Sequence, residues 1–207
     1  MYQALYRKWR PRTFDEVVGQ AHITDTLRRQ VATGHTSHAY LFTGTRGTGK
    51  TTCARILAKA VNCESPIDGA PCCQCEACRA IDSATALDVT ELDAASNSGV
   101  DYVRALREEA IYTPAVLRKR VYIIDEVHML TREAFNALLK ILEEPPAHLL
   151  FILATTELHK VPATILSRCQ RFAFKRILPR DMERQLLTIA EAEGITLTAD
   201  GAELLAR

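Results

Sequence analysis

The sequence has no apolar run approaching the roughly 18 residues that a membrane-spanning helix requires. Its opening stretch, MYQALYRKWRPRTF, has no apolar core either. Neither a membrane span nor a secretory signal is therefore expected. A charge bias is missing as well, since 26 Lys and Arg face 25 Asp and Glu. No global field draws the chain to nucleic acid or to a lipid surface, so any polyanion site has to be local. No internal repeat or low-complexity tract is visible, which excludes a repeat architecture. Cysteine is scarce outside one place: five of the seven lie between Cys63 and Cys78. These absences point to the cytoplasm, where thiols stay reduced and clustered ones bind metal more often than they pair.

What the chain does contain is ordinary globular composition, 47% hydrophobic and 25% charged over 207 residues. That length holds one well-cored domain and the start of a second. AYLFTG, LDVTELDAA, RVYIIDE and LLFILATT are apolar runs of strand length. HITDTLRRQVATG reads as a helix ended by Gly34 as a C-cap, and KTTCARILAKAVN and DYVRALREEA also read as helices. In TREAFNALLKILEEPP, Ala134, Leu138, Ile141 and Leu142 recur at i, i+4, i+7 and i+8, and Pro145 and Pro146 must end that helix. Nearly continuous apolar strands alternating with helices predict an α/β fold, its parallel sheet covered on both faces. From LPRDMERQLLTIAEAEG to AELLAR the pattern is purely helical. The expected division is a sheet domain over 1–178 and the start of a helical domain over 179–207.

Gly44-Thr45-Arg46-Gly47-Thr48-Gly49-Lys50-Thr51 has the spacing GxxxxGK[ST] between a predicted strand and a predicted helix. Glycines let successive N–H groups turn inward as an anion nest, and the following helix adds its positive end. Lys50 is placed to neutralise charge between the β- and γ-phosphates, and Thr51 to offer its hydroxyl to Mg²⁺. Thr52 completes the candidate nucleotide-binding set. The bland alternative is a flexible glycine turn. A metal-bound nucleotide also needs a carboxylate at a neighbouring strand end, and RVYIIDEVHM supplies Asp125 and Glu126. Asp125 is expected to hold Mg²⁺ and Glu126 to polarise the attacking water. The two are otherwise solvated strand-end charges. His128, just beyond, reads as structural. Together these features predict an ATPase.

Cys72, Cys75 and Cys78 make two x2 steps, and Cys63 returns as a fourth ligand across a small loop. Such a closed Cys₄ set argues for structural Zn²⁺ over residues 63–78. An iron–sulfur cluster favours other spacings. Reduced, unliganded thiols remain the alternative, and Cys73, with four residues between it and Cys78, is a competing ligand. Cys53 and Cys169 read as small buried thiols.

GTRGTGKT, IIDEVHML, NALLKILEEPP, LATTE and ILSRC occur in an order and spacing that resemble bacterial clamp-loader ATPases of the AAA+ superfamily. YRKWRPRTFDEVVGQ and the cysteine cluster after the loop helix narrow the resemblance to subunits of DNA polymerase III. It spans Tyr6 to Arg207 and selects the same four zinc cysteines. The resemblance implies an AAA+ P-loop fold, with ATP, Mg²⁺ and Zn²⁺ as cofactors. It places Arg10, Pro11 and Val18 around the base and makes Thr156 a sensor near the γ-phosphate. It makes Arg168 an arginine finger that reaches a neighbouring subunit's site. The implied partners are other clamp-loader subunits, a sliding clamp and primer–template DNA. In the family a second sensor arginine and a collar lie beyond the point matching Arg207. AASNSGV matches a DNA-facing region but carries no basic residue, leaving amides at the next helix start to hold phosphates. The alternative within the superfamily is a branch-migration helicase.

Overall fold

The computed structural model describes residues 4–206. Residues 1–3 and Arg207, which the expected domains include, lie outside the described residues. Five strands pair in parallel: β1 (Ala39–Thr43), β2 (Val89–Asp93), β3 (Arg120–Asp125), β4 (Leu149–Thr155) and β5 (Gln170–Ala173). Their order across the sheet is β2-β3-β4-β1-β5. The first four are the apolar runs of the sequence. The fifth, QRFA, buries Phe172 alone, so an edge strand with a single core residue carries little periodic signal.

Parallel pairing needs crossovers, and helices supply them. They are α1 (Leu5–Lys8), α2 (Ala21–Thr33), α3 (Lys50–Asn62), α4 (Glu76–Asp82), α5 (Val100–Ala110), α6 (Arg132–Glu143), α7 (Ala163–Leu166), α8 (Pro179–Ala192) and α9 (Ala199–Ala206). Helix α2 ends at Gly34 with a left-handed φ of 71°, the cap expected of a glycine there. Thr131 caps α6 by accepting the Ala134 amide at 3.2 Å, and α6 stops at Glu143 before the paired prolines. No described helix is long and apolar enough to cross a membrane.

Every residue of β1 and β4 is buried, and alternation divides the strand side chains between two cores. Leu41, Tyr122, Ile124, Phe151 and Leu153 pack with α5 and α6 on one face. Tyr40, Phe42, Val121, Ile123, Leu150 and Ile152 pack with α2 and α3 on the other. Asp88, just ahead of β2, is a buried exception. Its carboxylate accepts the amides of Ala115, Val116 and Leu117 at 2.8, 2.8 and 3.0 Å, and Arg120 stands 3.4 Å away. Burial alone would raise its pKa. The three amides and Arg120 outweigh that and hold it below the ordinary carboxylate range.

Register decides what meets at the site. Thr43 pairs with Thr155, Ile124 with Leu153, and Asp93 with Asp125, so the carboxyl ends of β1, β2, β3 and β4 share one rim. Ligands of open parallel sheets sit at that rim.

Candidate functional site

Strand β1 runs into Gly44, whose amide donates to Thr155 O at 3.3 Å. A Cβ at Gly44 would stand 2.6 Å from Phe174 O, at a φ of +147°, so only glycine fits between the loop and the end of β5. The loop then turns through Thr45, Arg46, Gly47, Thr48 and Gly49 into α3, whose first residue is Lys50. Thr48 Oγ1 closes the turn on Thr45 O at 2.8 Å. Lys50 is 6% exposed, and its ammonium donates to Gly44 O and Thr45 O, each at 2.9 Å. Burial lowers the Lys50 pKa, while Glu126 and Asp125 act in the opposite direction.

Sequence reasoning missed Gln20. Fully buried, it donates from Nε2 to Thr48 O at 3.3 Å and to Lys175 O at 2.7 Å, and it accepts the Lys175 amide at 3.1 Å. It ties the loop to the backbone leaving β5. A lone glutamine before a helix carries no signal that would have found it.

Asp125 ends β3 beside the loop helix. Thr51 Oγ1 donates to its Oδ2 at 2.6 Å, and the Glu126 amide donates to its Oδ1 at 2.9 Å. The threonine hydroxyl and the aspartate thus adjoin each other, a donor set that suits a hard divalent cation. Glu126 sits at φ 47°, a left-handed turn that breaks the strand and lets its side chain reach the end of β4. There its Oε2 accepts the Thr156 hydroxyl at 2.9 Å and the Thr156 amide at 3.3 Å. His128 is drawn into the same network, with its side chain 6% exposed. Its Nδ1 lies 3.0 Å from Thr155 Oγ1 and 3.4 Å from Glu126 Oε2, and its Nε2 lies 3.2 Å from Glu157 Oε1. Lys50, Thr51, Asp125, Glu126 and Thr156 are therefore gathered at one rim.

Next to the loop opens a cleft of about 360 Å³, lined by Pro11, Val18 and Thr52 with Trp9 and Val17. Ile177 and the α8 residues Met182, Leu186 and Ile189 close its far side. Its lining is mainly apolar, as a purine ring requires. Sequence reasoning did not assign the α8 wall, because one face of an amphipathic helix reads simply as core. Trp9 Nε1 donates to Glu193 at 2.6 Å, and Lys8 pairs with the same carboxylate at 2.7 Å, binding the N-terminal segment to the end of α8. Arg10, grouped with the base pocket by resemblance, lines instead a neighbouring cavity on the other side of Pro11. Arg168 also stands apart. Its guanidinium pairs with Glu143 at 2.6 Å and donates to Thr164 O at 2.8 Å, with no bond to the loop, Asp125 or Glu126 among the described residues.

The sulfurs of Cys63, Cys72, Cys75 and Cys78 all lie within 4.8 Å of one another. A tetrahedral ion with bonds of about 2.3 Å spaces its sulfurs about 3.8 Å apart, so the group fits Zn²⁺. Backbone amides already point at them: Cys72 N to Cys63 Sγ at 3.3 Å, Cys75 N to Cys72 Sγ at 3.3 Å and Cys78 N to Cys75 Sγ at 3.5 Å. Amides of Gln74 and Cys75 bring the Cys72 thiol down to about 6, whereas burial raises Cys63 and Cys78. Cys73 is turned out of the group by a φ of 57° and faces Arg12 O at 3.4 Å and Lys59 Nζ at 3.8 Å. Helix α4, not read from the sequence, begins at this cluster, with Cys75 as its N-cap. Burial pushes the thiols of Cys53 and Cys169 up to about 12.

Comparison with known proteins follows the same lines. A protein-family model described as DNA polymerase III, delta subunit, matches residues 19–178. The tau subunit of DNA polymerase III from Bacillus subtilis is 54% identical over 206 residues, covering 99% of this chain and 36% of that protein. The Escherichia coli tau subunit is 50% identical over 206 residues, covering 100% of this chain and 32% of that protein. The chain thus spans about a third of the length of these curated relatives. Among solved structures, the Thermotoga maritima RuvB Holliday junction branch migration motor superposes with a TM-score of 0.67 at 19% identity, covering 96% of this chain and 59% of that one. A DNA polymerase III gamma subunit-related protein from the same organism gives 0.58 at 24% identity, covering 87% and 57%. Likeness at these identities is one of fold, and the fold is that of an AAA+ P-loop protein.

Proposed function

The chain belongs to the DNA polymerase III gamma/tau family, and from that membership we propose that it is the ATPase module of a replicative clamp loader. In this function ATP binding and hydrolysis drive the loading of a sliding clamp onto primer–template DNA. We assign residues 1–178 to the nucleotide-binding domain and 179–207 to a helical lid. The observation that carries the proposal is the paired contact Thr51–Asp125 and Glu126–Thr156 beside the buried Lys50.

Gly44 to Thr51 receive the phosphates on inward amides, and Lys50 exchanges loop carbonyls for phosphoryl oxygens. Pro11, Val18 and Thr52 face the base. Thr51 and Asp125 hold Mg²⁺, which when bound neutralises charge on the phosphates. Glu126 orients and polarises the attacking water, and Thr156 holds that carboxylate at the strand end. Arg168 serves the neighbouring subunit's site, in keeping with its separation from its own loop. Fingers of this kind are worth about 10³–10⁵ in rate. Cys63, Cys72, Cys75 and Cys78 hold a structural Zn²⁺ that anchors α4 against α3.

A branch-migration motor would use the same loop and acidic pair. The test is ATPase activity of the full-length protein with its partner subunits, with and without clamp and primed DNA. Stimulation that requires the clamp supports the proposal. Equal response to DNA with and without clamp assigns the chain to a motor instead.

A further inference from the structure

A cavity of about 620 Å³ opens on the side of Pro11 and Thr52 away from the base cleft, sharing both residues with it. Its walls carry Arg7, Lys8, Arg10, Arg12, Arg55 and Lys59 against one lining carboxylate, Asp82. In a chain of net charge +1 this is a local concentration of cations, the only kind of polyanion site that the composition permits.

Part of the charge is answered from within. Asp82 pairs with Arg12 and with Lys59, each at 2.7 Å, while Glu91 takes Arg55 and Glu193 takes Lys8. Arg7 and Arg10 have no carboxylate partner among the described residues. Arg10 is half-buried between the N-terminal segment and α3. Burial first, and then the nearby Arg55, lower its pKa, while Glu91 pulls the other way without pairing with it. The cations also converge. Thr52, Arg55, Ile56 and Lys59 recur at i, i+3, i+4 and i+7 on one face of α3, opposite residues 7–12. Charges that meet across a hollow suit a compact anion, whereas a nucleic-acid strand needs charges arranged along a track.

We propose that this cavity binds a small polyphosphate anion, separately from the nucleotide on the phosphate loop. Guanidinium forks match phosphoryl oxygens in pairs. The volume falls in the range of about 300–1,000 Å³ found for small-ligand sites, ample for several phosphoryl groups. Tyr6, Ile56 and Ile81 add apolar wall that a base can cover. A free oligophosphate and the phosphate chain of a second nucleotide share this chemistry.

The test is calorimetric titration of the full chain with sodium tripolyphosphate, after its phosphate loop has been saturated with ADP. A second titration uses Lys50→Ala, which disables the loop. The expected result is one tripolyphosphate per chain in both, weakened tenfold or more by Arg10→Ala and by Arg55→Gln, with circular dichroism unchanged. A nucleoside tetraphosphate that binds Lys50→Ala more tightly than tripolyphosphate assigns the site to a nucleotide, and equal binding assigns it to the free oligophosphate. Absence of saturable binding to Lys50→Ala overturns the proposal, and so does binding indifferent to both arginines. Preference for single-stranded oligonucleotide, undisturbed by excess tripolyphosphate, likewise overturns it. Should ADP fail to bind the unchanged chain, the loop assignment falls while the Lys50→Ala titration still decides this one.

Discussion

Thr156 and Glu126 are joined twice: the threonine hydroxyl and its backbone amide both donate to Oε2 of the glutamate, at 2.9 and 3.3 Å. The contact crosses from the end of β4 to the residue after β3, so it exists only when the two strands are in register. Thr156→Val keeps the shape and the amide but removes the hydroxyl. A hydrogen bond to a charged group is worth about 1.5–3 kcal/mol, which corresponds to a fall of about 10- to 160-fold in kcat. Steady-state ATPase kinetics of the assembled complex should show that fall with KM for ATP nearly unchanged. An unaltered kcat would remove Thr156 from the machinery. Glu126→Gln is expected to lose hydrolysis and keep ATP binding.

Lys50 lies buried with its ammonium on Gly44 O and Thr45 O. Replacing it by alanine removes the charge and the tether of the loop together, so equilibrium titration should detect no nucleotide binding. Tight ATP binding by Lys50→Ala would refute the phosphate-loop assignment.

Arg168 rests on Glu143 of its own chain. If its target is a neighbour's γ-phosphate, mixing Arg168→Ala subunits with Glu126→Gln subunits should restore some turnover. One of the mixed interfaces then pairs an intact finger with an intact base. No recovery at any mixing ratio argues against a shared site.

The cysteines separate by reactivity. In the metal-free chain at pH 7, Cys72, held at about 6 by its amide donors, should alkylate before any other, and Cys53 and Cys169, pushed to about 12, should stay intact. Adding Zn²⁺ should protect Cys63, Cys72, Cys75 and Cys78 and leave Cys73 open to reagent. Peptide mass spectrometry reads both patterns. Protection of Cys73 in place of one of the four would reassign the ligand set.

Asp88→Asn tests the buried carboxylate. Removing the charge facing three amides and Arg120 should cost about 3 kcal/mol of stability at neutral pH. Because the folded pKa is depressed, the contribution is complete above the unfolded value, ordinarily 3.8, and is lost as pH falls through the folded value. Thermal melts should show the gap between the two proteins closing below that pH. A constant gap would assign the loss to packing.

Much of this was legible in the sequence because period and spacing report on single segments. The apolar runs of β1 to β4, α3 and the loop each carry their own signal, and Asp125 could be placed at a strand end from four apolar neighbours. Relations between segments were not legible. Strand β5 is an edge with one buried side chain, and α4 is organised by sulfur contacts. Arg10 and Pro11 are adjacent in sequence, yet Arg10 borders only the cationic hollow whereas Pro11 borders both. His128 read as structural, and only the fold reveals that it touches both Glu126 and Thr155.

Gln20 acts as a three-way joint. One amide group, sealed from water, grips the phosphate loop at Thr48 and the chain at Lys175 a few residues before α8 begins. Water cannot replace a lost bond there, so the loop and the strand exit are constrained to shift as one piece or to break the joint. A ligand that reshapes the loop therefore pulls on the root of the helical segment. The phosphate loop and the chain leading into α8 thus share one buried side chain as their link.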